Sequence, residues 1–200
     1  LPMFSLDRFD KIFRRQQNRE EIFSFKNLTE ESSITLSTLF YTYAHDVSGS
    51  YVYKPTDAVM TLFDEGDNRK DISIATVSAL NVINKYPSGQ TGTDPFPVIR
   101  LAEMYLIAAE AKGLEGLPRL NELRQARNLP AIHPTTETAY QEAVALERRR
   151  ELLAEGFRWY DLVRTGKAVE ELEIEPYRTL FPIPDYEREV NPNISQNDGY

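Results

Sequence analysis

The sequence predicts a mainly α protein with helical hairpins, an irregular and partly β segment before them, and an extended strap at the C-terminus. Three observations predict it. Apolar residues recur at helical spacing from about Pro97 to Gly166. The stretch from Thr29 to Arg69 is rich in Ser, Thr and Tyr and lacks that period. Pro176, Pro182, Pro184 and Pro192 interrupt the last thirty residues, where proline cannot continue a helix or a central strand. The chain therefore reads as one continuous region, 1–200, made of a mixed loop, strand and helix segment (1–95), helical hairpins (96–170) and the strap (171–200).

Taken in order, Phe4, Leu6, Phe9, Ile12 and Phe13 lie at near-helical spacing and predict a short amphipathic helix over residues 4–17, followed by a strand at Glu21–Phe25. The irregular stretch ends in the turn-forming run Asp64-Glu-Gly-Asp-Asn68. Pro97 suits the first turn of a helix that puts Leu101, Met104, Tyr105 and Ala108 on one face and ends at Gly113. Pro118 opens a second helix, with Leu120, Leu123 and Ala126 in phase, closed near Asn128 by Pro130. A third starts behind Thr135-Thr136-Glu137-Thr138, with Ala139, Ala143, Leu146 and Leu153 inward and Phe157 at its far end, bending at Gly156. Phe157 to Arg164 continues helically up to Gly166.

Composition excludes several functions. With 23 basic against 31 acidic residues the net charge is -8, which repels polyphosphate and leaves no basic face for a nucleic acid. No cysteine is present, so there is neither a disulfide framework nor a thiolate metal site. His45 and His133 are far apart in sequence, and Asp64-Glu-Gly-Asp-Asn68 lacks the terminal bidentate Glu of a calcium loop, so no metal or other cofactor is expected. No apolar run approaches the ~18 residues of a membrane span.

Glu147, Glu151 and Glu155 recur every four residues, stacking three carboxylates on one helix face. A retaining glycosidase needs such a pair, but its general acid needs a raised pKa, and Arg148, Arg149, Arg150 and Arg158 favour the ionised form. The expected role is structural: a partly buried ion network joining these carboxylates and Asp161 to Arg100, Arg124, Arg158 and Arg164. Trp159, between Phe157 and Tyr160, is expected in the core. Tyr41, Tyr43, Tyr51 and Tyr53 alternate around a Ser48-Gly49-Ser50 tip and form the candidate ligand surface, because tyrosine presents a flat stacking face with one polar handle. The same spacing suits tyrosines paired across a β-hairpin, and both readings can hold.

Four stretches carry a family resemblance: Arg100-Leu-Ala-Glu-Met-Tyr-Leu-Ile-Ala-Ala-Glu-Ala111, Glu147 through Lys167, Leu180-Phe-Pro-Ile-Pro184, and Asn191-Pro-Asn-Ile-Ser-Gln-Asn-Asp-Gly-Tyr200. With Asp67-Asn-Arg69 resembling the family's Asp-x-Arg turn, the chain resembles the C-terminal portion of the SusD/RagB family. That resemblance implies tetratricopeptide-like helix pairs and a non-catalytic nutrient-binding lipoprotein on the extracellular face of the outer membrane. It implies an oligosaccharide or polysaccharide ligand and a SusC-like TonB-dependent outer-membrane transporter as partner. Membrane attachment would come only through a lipid anchor absent from this chain. A helical-repeat adaptor for protein partners and a glycoside hydrolase using Glu151 and Glu155 are the alternatives.

Overall fold

A computed structural model of the chain describes residues 4–14, 16–28, 36–40, 53–77, 79–88 and 93–200. Near the N-terminus the expected helix is confined to α1 (Phe9–Phe13), which buries Phe9, Ile12 and Phe13. The residues before it run extended because their backbone is held elsewhere: Ser5 N–H donates to Arg19 O and Asp7 N–H to the Glu20 carboxylate. The expected strand β1 (Glu21–Phe25) forms and pairs antiparallel with β4 (Phe96–Arg100). Pro97 therefore sits in a strand opposite Ser24 rather than opening a helix, a position proline tolerates in a two-stranded sheet.

Between these strands the chain forms short pieces: α2 (Leu36–Phe40), α3 (Asp57–Met60) and α4 (Lys70–Ser73). It then makes a hairpin of β2 (Ile74–Val77) and β3 (Leu80–Ile83), closed through Ala79 at φ 65°. The hairpin was not evident in the sequence. Two apolar clusters form here, one of Phe9, Ile12, Phe13 and Tyr86, the other of Leu62, Phe63, Ile74 and Ile83, with Phe40 packed against both.

Three helices complete the first of two compact units, Leu1–Ala154. Helix α5 (Leu101–Ala111) ends where Gly113 takes φ 57°. A 3-10 turn leads into α6 (Leu117–Ala126), with Pro118 in its first turn and Asn128 at φ 62° beyond its end. Helix α7 (Glu137–Glu151) is capped by Thr136, whose hydroxyl accepts from Ala139 N–H. It stops at Glu151 because Ala154 and Gly156 take left-handed backbone angles, so Leu153 and Phe157 lie beyond it.

The inward faces differ from the apolar ones expected. Helix α5 buries Ala102, Leu106 and Ala109 while Met104 is exposed, and α7 buries Tyr140, Val144, Glu147 and Glu151 while Leu146 is exposed. The small residues of α5 admit close neighbours. A Cβ on Gly116 would overlap the carbonyl oxygen of Ala109 and lie 2.8 Å from its Cα. The Tyr140 hydroxyl donates to that same carbonyl at 2.9 Å, pinning α7 to α5.

The second unit is Glu155–Tyr200. It holds α8 (Arg158–Arg164), α9 (Ala168–Leu172), a 3-10 turn at Pro176–Thr179 and α10 (Asp185–Val190). The strap is thus less extended than expected, since Pro176 and Pro184 begin helical turns, where a missing N–H costs nothing. Its end doubles back on itself through side chains. Gln196 brackets the backbone of Ile183 at 2.8 and 2.9 Å, Asn197 donates to Phe181 O and the Tyr200 hydroxyl to Leu180 O. Gly199, at φ 94°, lies flat on the Tyr177 ring, which meets Tyr200 edge-on.

Candidate functional site

The densest chemistry in the described residues is a buried ion network around Glu151, whose side chain is fully inaccessible. Its Oε1 accepts from Arg100 Nη1 at 2.5 Å and Arg127 Nη2 at 2.9 Å, and its Oε2 from Arg69 Nη1 at 3.0 Å and Arg127 Nε at 3.1 Å. Those arginines come from β4, from the turn after α6 and from the turn before α4. The planar guanidinium fork lets each reach more than one acceptor: Arg69 also grips Asp67 through two parallel bonds of 2.9 and 2.7 Å.

Glu147, one turn earlier, accepts from Arg124 Nη1 at 2.8 Å. Its Oε1 lies 2.6 Å from Arg69 Nη2 without hydrogen-bond geometry, so that contact is purely ionic. Glu20, also buried, accepts from Arg127 Nη2 and from Asp7 N–H, both at 2.8 Å. The carbonyl of Glu151 would be an orphan acceptor at the C-terminal end of α7. It takes Arg100 Nη2 at 2.7 Å and Lys85 Nζ at 3.0 Å, cations where the helix dipole favours them. Lys85 in turn lies over the Phe9 and Phe13 rings, which places the network directly on an apolar cluster.

Electrostatics decide what this network can do. Burial pushes the Glu151 carboxyl up, but Arg127, Arg100 and Arg69 outweigh it and hold it well below the usual carboxylate range. Burial is the larger effect at Glu20 and keeps its pKa raised despite Arg127. A carboxylate has about four lone-pair sites, and four arginine N–H groups already occupy those of Glu151. It has no proton to give and no face for a substrate, so it cannot serve as a general acid.

The expected site residues fall in several places. Glu147, Glu151, Arg100 and Arg124 come together in the network. Glu155 lies past the end of α7 and begins the second unit. Arg158 pairs with Glu171, and Arg164 Nε with Asp161 at 2.9 Å, each within the second unit. Arg69, Arg127, Glu20, Asp67 and Lys85 were not expected in the network; of these only the Asp67-Asn-Arg69 spacing was visible as a motif. Asp67, in the turn-forming run, is buried against Arg69.

Trp159 is half-buried, 5.8 Å from the Phe181 ring in the second unit. Tyr41, Tyr43 and Tyr51 lie outside the described residues. Tyr53 is 58% exposed, its ring 5.9 Å from Phe40 and its N–H bonded to Leu39 O, so one face is anchored to an apolar cluster and the rest is open. No group of acidic, histidine or cysteine side chains suited to a metal occurs among the described residues, nor does any helix there have the length and apolarity to cross a membrane.

Residues 77–179 match the model of the SusD family. SusD-like protein P38 of Formosa agariphila is 31% identical over 153 residues, covering 68% of this chain and 29% of that protein. The starch-binding protein SusD of Bacteroides thetaiotaomicron is 33% identical over 120 residues, covering 52% of this chain and 21% of that protein. Among solved structures, a laminarin binding SusD-like protein superposes with a TM-score of 0.76 at 27% identity, over 99% of this chain and 54% of that one. Surface glycan-binding protein A from Bacteroides thetaiotaomicron gives 0.81 at 18% identity, covering 99% and 56%, and shows likeness of fold alone. The chain spans less than a third of the length of these two curated relatives and about half of these solved structures.

Proposed function

The chain belongs to the SusD family, and on that premise we propose that it is part of a cell-surface glycan-binding protein, not an enzyme, that captures oligosaccharides and passes them to a SusC-like TonB-dependent outer-membrane transporter. The observation that carries this reading is the family match over residues 77–179. The starch-binding and laminarin binding relatives support the ligand class. The saturation of Glu151 by arginine supports binding without hydrolysis. In this reading a lipid anchor outside this chain holds the protein at the extracellular face of the outer membrane. The tyrosine segment Tyr41, Tyr43, Tyr51 and Tyr53 contributes stacking faces to the ligand.

The test is a calorimetric screen of the full-length protein against soluble oligosaccharides, with Tyr51→Ala and Tyr53→Ala alongside. Binding of at least one oligosaccharide without release of reducing sugar is expected. Loss of one stacking tyrosine should weaken it roughly 5- to 150-fold. Absence of binding across a broad panel overturns the glycan reading. A transporter missing from affinity pull-downs of detergent-solubilised outer membranes overturns the delivery role.

A further inference from the structure

A cleft of about 480 Å³ opens between the end of α1, the turn at residues 16–18, strand β1 and residues 93–95, all within the first unit. Its size falls within the range of small-molecule sites, roughly 300–1,000 Å³. Its rim is built rather than incidental. Asn18 Oδ1 accepts from the N–H groups of Glu20 and Glu21 at 3.1 and 2.9 Å, and Asn27 donates to Asp94 O at 2.8 Å, tying one wall to the other.

Inside that frame polar side chains face an apolar ring. Gln16, Gln17 and Lys26 line the cleft and are exposed, and their side chains bond to no other described residue. An amide offers a donor and an acceptor together, as a sugar hydroxyl does, so glutamines match vicinal diols without needing charge. Among the described lining residues Lys26 carries the one ammonium and Glu21 the one carboxylate, whose Oε1 accepts from Ser24 Oγ at 2.5 Å. A uronate or phosphate would call for an excess of cations. Phe25 supplies the apolar side: it borders the cleft, 50% exposed, and meets the 48% exposed Phe23 edge-on at 5.3 Å. Two such rings, packed edge to face on a short strand, present exposed apolar surface of the kind that marks a binding site.

We infer that this cleft is a saccharide subsite for a neutral pyranose, the C–H face of the ring on Phe25 and its hydroxyls on Gln16, Gln17 and Lys26. The inference rests on the glycan-binding reading and assigns ligand contact to residues other than those tyrosines.

The experiment titrates the full-length protein with maltoheptaose, laminarihexaose and a galacturonic acid trimer by calorimetry. Phe25→Ala and the double variant Gln16→Ala/Gln17→Ala are compared with wild type, thermal melting checks their fold, and hydrogen exchange follows the wild-type protein with and without each sugar. A neutral oligosaccharide should bind, each variant should lose roughly 5- to 30-fold in affinity without a change in melting, and amides 16–27 should gain protection. The protection measurement holds even if a variant misfolds. Binding of a neutral sugar with variants within twofold of wild type and no protection at 16–27 removes the cleft and leaves the glycan reading standing. Preference for the galacturonate, with protection at 16–27, overturns the neutral assignment. No binding by any sugar overturns the glycan reading and the cleft with it.

Discussion

Replacing Glu151 with Gln tests the network at its centre. The substitution keeps the side-chain volume, so no cavity adds to the result, but it removes the charge that three guanidiniums share at 2.5–3.1 Å. Breaking a buried ion pair by removing one partner costs roughly 3–5 kcal/mol, because the remaining charge stays buried without compensation. Domains of this size shift about 2–4 °C in Tm per kcal/mol, so E151Q should melt about 6–20 °C below wild type at pH 7. Differential scanning calorimetry reads both Tm and enthalpy. The gap should also depend on pH. Despite burial, the arginines depress the folded-state pKa of Glu151. Its stabilising contribution is then fully present above the unfolded value of about 4.3 and is lost as pH falls through the lower folded value. The two melting curves should converge below about pH 4. A gap under about 2 °C at pH 7, or one that persists unchanged to pH 3, refutes this account. Wild-type melting together with loss of a measurable glycan hydrolysis would instead restore the carboxylate pair as a catalytic one.

Glu20 should behave with the opposite sign: burial raises its folded pKa, so its favourable contribution is present below about 4.3 and is lost as pH rises through the folded value. E20Q should therefore destabilise the protein at pH 7 by less than half as much as E151Q, measured by urea midpoint. Gly116→Ala forces a methyl into the backbone of Ala109 and to 2.7 Å from the Tyr140 hydroxyl; it should cost about 1–3 kcal/mol. Tyr140→Phe, which strands that carbonyl, should cost about 1 kcal/mol in the same assay. Gly199→Ala combines a left-handed backbone with a Cβ pressed into the Tyr177 ring. It should release the tail, seen as faster hydrogen exchange at Ile183 and accelerated proteolysis after residue 190.

Local chemistry determined several helix boundaries, though not the start of α1, whose leading residues are held extended by Arg19 and Glu20. Gly113, Pro118, Asn128, Thr136 and Gly166 act within a turn of their own position, through a left-handed backbone angle, a missing N–H or a capping oxygen. The family motifs were legible for the same reason: Asp67-Asn-Arg69 closes on itself, and Asn197 and Tyr200 clamp a segment only 16 and 20 residues away. Which face of a helix turns inward was decided only by the tertiary structure. On α7 an apolar count favours Ala143 and Leu146, yet Glu147 and Glu151 are buried. A buried carboxylate is tolerated only where cations meet it, and those cations arrive from Arg69, Arg100 and Arg127, separated from Glu151 by as many as 82 positions in sequence. The β2–β3 hairpin and the pairing of Pro97 into a strand depend likewise on distant partners. The cleft beside β1 does too: Gln16, Phe25 and Pro95 carry no motif of their own and acquire a meaning only when the pairing of β1 with β4 sets them around one opening.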